Sequence, residues 1–200
     1  MTYIFIIVTV IVSLLAMSNA ELFQKLSFSP WLIYQKKQNW RFITHGLIHA
    51  GWAHLAINML VLYSFGRHVE EAYRNLFGSG KGQLLYLLLY VGGILFSTLY
   101  DFGRYKTNPY YQSVGASGAV SAVLFTSILI APTSKLFVFP IPFPIPAYIF
   151  GGLYLVYSIY MNKKGQDNIG HIAHFMGALF GLIYTITLKP SLLTHFFNQI

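Results

Sequence analysis

The chain has 200 residues, of which 56% are hydrophobic and 9% charged, and a formal net charge of +8. Average soluble domains carry about 25% charged residues, so an ordinary soluble fold is excluded, and an aromatic content of 18% excludes disorder. The absence of cysteine removes disulfide frameworks, thiol catalysis and cysteine-ligated metal sites, and basic residues that are scattered rather than clustered suit lipid headgroups, with no nucleic acid expected as partner.

Charged side chains divide the chain into uncharged windows at 1–20, 42–66, 82–100, 107–134, 136–162 and 168–188. A spanning helix needs about 20 predominantly apolar residues. The windows therefore predict an all-α membrane protein with six transmembrane helices and both termini on one side. In the first window Ser18-Asn19-Ala20 resembles a signal-peptide cleavage site, but no Lys or Arg precedes the apolar stretch, so it is read as helix one. Residues 21–44 carry Pro30, Trp31, Tyr34, Trp40 and four basic side chains. That is too long for a hairpin and too aromatic for a solvated linker, which predicts a structured first loop at the interface. Helix two carries His45, His49, His54 and Asn58. Helix three is apolar on every face through Leu84–Tyr90, as a buried or lipid-facing helix should be. Helix four opens at Ser117 within Gly115-Ala116-Ser117-Gly118. Prolines 140, 142, 144 and 146 forbid helix over the start of the fifth window and mark the connection between helices four and five, and helix six carries His171 and His174, then Gly177 and Gly181.

Polar groups inside spanning segments are costly unless paired or functional, and here they concentrate on helices two, four and six. These three run in the same direction, so Ser117, His174 and His54 lie near one membrane face. At 1.5 Å per residue Ser117 sits roughly 8 Å below the interface and His174 about 6 Å. A serine and a histidine at one depth suggest a nucleophile and its general base. The acidic residues Glu21, Glu70, Glu71, Asp101 and Asp167 lie outside these helices, so the chemistry would run on a dyad rather than a triad. His54 and Asn58 share a helix face, and with the Ser117 amide they can donate to an oxyanion. Each feature also has a plainer use. Serine bonds back to helix carbonyls, Gly177 and Gly181 form a packing motif, His45 and His49 serve as anchors for the first loop, and His68 and His195 are solvated.

Taken in order, Trp40-Arg41, His45, His49, His54-x-x-x-Asn58, Gly115-Ala116-Ser117-Gly118 and His174-x-x-Gly177-x-x-x-Gly181 resemble the rhomboid intramembrane serine proteases over nearly the whole chain. The resemblance implies one rhomboid-type transmembrane domain over residues 1–200, with Ser117 as nucleophile and His174 as base. His54 and Asn58 would line the oxyanion hole, and His171 would be a bystander. It also implies that the glycines after His174 let helix six approach helix four near Gly118. Two departures stand out. Many rhomboids carry tyrosine four residues after the serine, beneath the histidine ring; here that residue is Ser121, leaving Phe175 and Tyr111 as candidates to support the imidazole. The stretch from Glu70 to Gly78 is also about one helical turn longer than usual.

The expected substrates are single-span membrane proteins cut near the membrane surface, with no cofactor and no metal; no residue names the substrate, and the oligomeric state is open. Rival readings are a proteolytically inactive rhomboid relative that binds transmembrane segments and a histidine-rich membrane metal enzyme using His45-x-x-x-His49 and His171-x-x-His174. Counting basic residues favours an outside N-terminus, because Arg67, Arg74, Lys81, Lys135 and Lys189 would be outnumbered by the other eight. The resemblance implies the reverse, an inner-membrane protein of bacteria with its active site facing outward. Substrate is expected to enter sideways past a mobile fifth helix, which truncation of Phe150 or Tyr154 would loosen without touching the dyad.

Overall fold

The computed structural model describes residues 1–138, 141–164 and 170–200, so Pro140 and Asp167 lie outside the described residues. Helix α1 (Thr2–Met17) leads into three short helices of the first loop, α2 (Ala20–Leu26), α3 (Pro30–Lys36) and α4 (Arg41–Thr44), and a 3-10 turn at His45–Leu47. There follow α5 (Trp52–Phe77), α6 (Ser79–Ser97), α7 (Leu99–Tyr105) and α8 (Ser117–Ile130). A small antiparallel ribbon of β1 (Lys135–Leu136) and β2 (Ile145–Pro146), with Lys135 opposite Pro146, precedes α9 (Ala147–Lys164), α10 (His171–Leu188) and α11 (Ser191–Gln199). Prolines 142, 144 and 146 lie outside helix, and Pro146 belongs to the ribbon.

Polarity is inverted relative to a water-soluble fold. Ile4, Ile7, Ile11 and Leu15 of α1, Ile57 and Leu60 of α5, Leu84 and Leu88 of α6, and Leu153 and Val156 of α9 are exposed. Thr9, Ser13, Ser97, Ser121, Thr126 and Thr185 are buried. Lipid rewards the first set and not the second, and Ser13, Ser121, Thr126 and Thr185 pair with other elements while Ser97 bonds back to the Ile94 carbonyl. Tyr73 Oη lies 2.6 Å from Thr185 Oγ1, which is 3.0 Å from Thr126 Oγ1, tying α5, α8 and α10 together; such ties average about 0.6 kcal/mol each. The chain is an all-α membrane protein. Among the described residues, Ser79–Tyr105 and His171–Leu188 are each long and apolar enough to cross a membrane. A third span results if Arg41–Leu47 and Trp52–Phe77, bent 94° apart, are taken together, while α1 and α8 are apolar but shorter.

α8 is the central pillar. Every residue from Gly118 to Leu129 is buried, which is possible because small residues let neighbouring backbones come close. A Cβ on Gly118 would run into Ser97 of α6, one on Gly93 would meet Ala119 Cα at 2.8 Å, and ones on Gly177 and Gly181 would collide with the carbonyls of Gly118 and Ala122. Pairing 118 with 177 and 122 with 181 makes α8 and α10 parallel neighbours in fixed register.

Window boundaries and helix boundaries differ in three places. The second window is not one helix: α4 and the 3-10 turn end at Leu47, and α5 starts at Trp52 after the 94° turn. His45 and His49 therefore lie in the entry to α5 and not on it. α5 also runs past residue 66 through Arg67, Glu70, Glu71 and Arg74, because a charge ends an apolar span without ending a helix. This places the extra turn before Gly78 at the end of α5. There Glu70 accepts from the Thr2 amide and hydroxyl at 2.9 and 2.8 Å, satisfying the start of α1. Finally, α11 continues beyond the sixth window; its amphipathic Leu192, Leu193, Phe196 and Phe197 were the available signal.

Candidate active site

The backbone that delivers Ser117 is held by the first loop. Phe28 and Ser113 form an antiparallel bridge, with amide-to-carbonyl distances of 2.9 and 3.1 Å. The Gly115 amide donates to the His45 carbonyl at 2.9 Å, and the Ala116 amide to His49 Nε2 at 3.4 Å. The loop itself is locked by Arg41, which is buried and donates to Gln38 Oε1 and to the carbonyls of Gln24 and Ser27 at 2.6–2.7 Å. Gly115 sits at φ +120, in the region that favours glycine, and a Cβ there would lie 2.7–2.8 Å from the His54 ring. Two constraints thus require glycine two residues before Ser117.

Ser117 is the first residue of α8, half-buried, and the helix has no side-chain cap at Ala116. The first amides of an α-helix lack intrahelical acceptors, so the end that carries the hydroxyl also offers N–H donors and a positive dipole end. His174 is the fourth residue of α10, half-buried. It stands three residues before Gly177, where α10 touches Gly118, and Ser117 stands one residue before Gly118, so both lie just N-terminal to a close contact between the two parallel helices. Their axial offset is then two residues, about 3 Å of helix rise, within reach of an imidazole. His54, the third residue of α5, is half-buried beside Gly115, and its ring meets that of His49 edge-on at 4.8 Å. Asn58, one turn on, is buried and donates one amide hydrogen to the His54 carbonyl at 2.9 Å, leaving the other for a ligand.

With this geometry the chain can be compared with known proteins. The family model described as the rhomboid domain matches residues 36–191. The chain belongs to the rhomboid family. The Bacillus subtilis protein named rhomboid protease GluP is 34% identical over 142 residues, covering 70% of this chain and 25% of that protein. RHOMBOID-like protein 12, mitochondrial, of Arabidopsis thaliana is 31% identical over 147 residues, covering 68% and 42%. Rhomboid protease AarA of Providencia stuartii is 24% identical over 159 residues, covering 74% and 55%. The chain thus spans between a quarter and little more than half the length of these three relatives.

Within this rhomboid framework some residues play the part expected of them and others stand elsewhere. His45 and His49 are loop anchors: His45 Nδ1 is 3.0 Å from the Arg41 carbonyl, and His49 Nδ1 is 3.0 Å from Ser13 Oγ of α1. His68 and His195 are exposed yet not purely solvated, since they reach Ser127 Oγ at 2.9 Å and the Ile130 carbonyl at 3.1 Å. Tyr111 is not beneath His174; it donates to Asp101 Oδ2 at 2.7 Å and stacks on Tyr105. Burial, with the Asp101 carboxylate beside it, pushes its phenol well above the ordinary range, so it stays protonated. The aromatic ring on His174 is that of Tyr154 from α9, nearly parallel at 21° with centroids 6.3 Å apart. Tyr154 also bonds Ser121 at 2.9 Å, so its truncation would not leave the surroundings of His174 intact. Sequence reading missed this contact; the small residue at 121 was its available signal. Among the described residues, no group of three or more His, Asp or Glu side chains is arranged to hold a metal ion.

Proposed function

We propose that this chain is an intramembrane serine endopeptidase, a single rhomboid domain over residues 1–200 with six spanning helices, α1, α5, α6, α8, α9 and α10. It would cleave single-span membrane proteins near the membrane surface. The observation that carries this reading is the contact of Gly177 with Gly118, which leaves Ser117 and His174 on either side of one parallel helix pair. Ser117 Oγ attacks the scissile carbonyl while His174 takes its proton; His174 then returns the proton to the leaving amine, and water repeats the cycle on the acyl-enzyme. The developing oxyanion is met by the Ser117 amide, by the free hydrogen of Asn58 and by His54. Family membership and relatives named as proteases support the chemistry; the inverted polarity supports substrates that arrive from lipid.

The test is cleavage of a panel of single-span substrates by purified protein in detergent. Ser117→Ala and His174→Ala each abolish cleavage, His171→Ala retains far more activity than His174→Ala, and a chelator changes nothing. Cleavage that persists in Ser117→Ala, or that is lost to a chelator and restored by zinc, refutes the reading.

A further inference from the structure

Ser121 lies one turn beyond Ser117 on α8 and is buried, at 3% exposure. Its side chain is too short to reach across to His174, and the space beside the imidazole is filled from a different helix. Tyr154 of α9 lays its ring nearly parallel to that of His174 at a separation within the range of offset aromatic pairs. Its phenol meets Ser121 Oγ at 2.9 Å. Its flanks meet Phe125 and Phe150, with centroids 5.6 and 5.9 Å away. The ring is thus tethered at its tip and wedged on its sides, which fixes its plane. One turn away the pattern repeats, with Tyr157 edge-on to His171 at 5.6 Å. The pairs 154 with 174 and 157 with 171 are successive rungs of one antiparallel α9–α10 seam, so the contact belongs to a register and not to one accidental rotamer.

We infer that Tyr154, tethered to α8 through Ser121, is the positioning residue for the His174 imidazole, so that orientation of the base depends on where α9 stands. This rests on His174 being the base. A buried tyrosine needs a partner for its hydroxyl, and the residue that supplies it lies on the helix that carries the nucleophile. Ser117 and the platform for His174 are therefore referenced to the same pillar. Displacement of α9 withdraws the platform, and its return restores it.

The experiment compares Tyr154→Leu and Tyr154→Phe with Leu153→Ala, a lipid-facing change on the same helix. Two quantities are read in detergent: steady-state kinetics on a single-span substrate, and the ring-proton resonances of His174, assigned by their loss in His174→Gln. Misplacement by about 1 Å can cost ~100-fold, so Tyr154→Leu is expected to lose roughly 10- to 100-fold in kcat with KM within about twofold. It is also expected to move the His174 resonances. Tyr154→Phe keeps the ring without its tether and falls between Tyr154→Leu and the unsubstituted protein, while Leu153→Ala leaves both quantities unchanged. Unmoved resonances in Tyr154→Leu overturn the inference, as does a loss in Leu153→Ala equal to that in Tyr154→Leu. If the unsubstituted protein shows no Ser117-dependent cleavage, the protease reading fails by itself, and the resonances alone decide the role of Tyr154.

Discussion

Gly177 meets the Gly118 carbonyl so closely that no side chain fits between them. Overpacking costs about 1–3 kcal/mol, and here it also pushes His174 away from Ser117. Gly177→Ala is therefore expected to lower the thermal midpoint in detergent and to cut turnover by about 100-fold. Gly152→Ala, whose Cβ would enter open space, is expected to change neither; equal effects of the two would remove the helix contact from the argument. The oxyanion donors offer a second measurement at this scale. Losing one such donor commonly costs 100- to 1,000-fold, roughly, so His54→Ala and Asn58→Ala should each lower kcat, and the double variant should lose more than either. Unchanged turnover in the double variant removes both residues from the mechanism. The candidate pair and both donors were legible as residues because polar groups are conspicuous in an apolar chain. Tyr154 was not, because it is one of 15 tyrosines. Its contact depends on the rotation of α9 about its axis, which no local pattern in so uniformly apolar a helix encodes.

α9 leans on α10 and α8, and its Phe150 shares an apolar cluster with Phe65 of α5. On the proposed function, this side of α9 is the route by which a substrate helix would enter. Because the chain contains no cysteine, a pair introduced at Phe65 and Phe150 can be cross-linked without competing thiols. The cross-linked protein is expected to lose cleavage of membrane substrates while Ser117 still reacts with a small soluble probe; full-rate cleavage after cross-linking would rule out this entry route. Truncating α9 at either residue also disturbs the platform for His174, since Tyr154 touches that ring and Phe150 flanks Tyr154. At this scale the helix ends read best where a charge and a backbone break coincide, as at Lys189. They read worst at His49–Gly51, where the chain turns with no charged residue to mark it.

Seen as one object, the molecule has a site-bearing end, with the first loop, Tyr110 and Ser117, and an opposite end, with Asn75. Counting charges and family resemblance disagree about which end faces outward, because the first loop carries its basic residues on folded helices, outside the reach of the positive-inside rule. Single cysteines at the exposed positions Tyr110 and Asn75 decide it. With an outward site, Tyr110→Cys reacts with an impermeant maleimide in intact cells and Asn75→Cys only after lysis; the reverse pattern inverts the topology. The windows anticipated the order of the main helices, which follows from apolar length, while the close approach of α10 to α8 near Gly118 was expected only from the family resemblance, because it depends on glycines facing one another. The hydrogen bond from Ala116 to His49 joins residues 67 apart in sequence, and this has a consequence for biosynthesis. At about 5–20 residues per second, the ribosome needs several seconds between making the anchor and making the segment it holds, and more before His174 emerges. The His49 anchor is therefore in place before Ser117 is made, whereas the helix that carries His174 is still to come. On the proposed function, a newborn chain would be inert while its own helices are still threading into the bilayer beside it, and would acquire its reactivity only when the last of them docks.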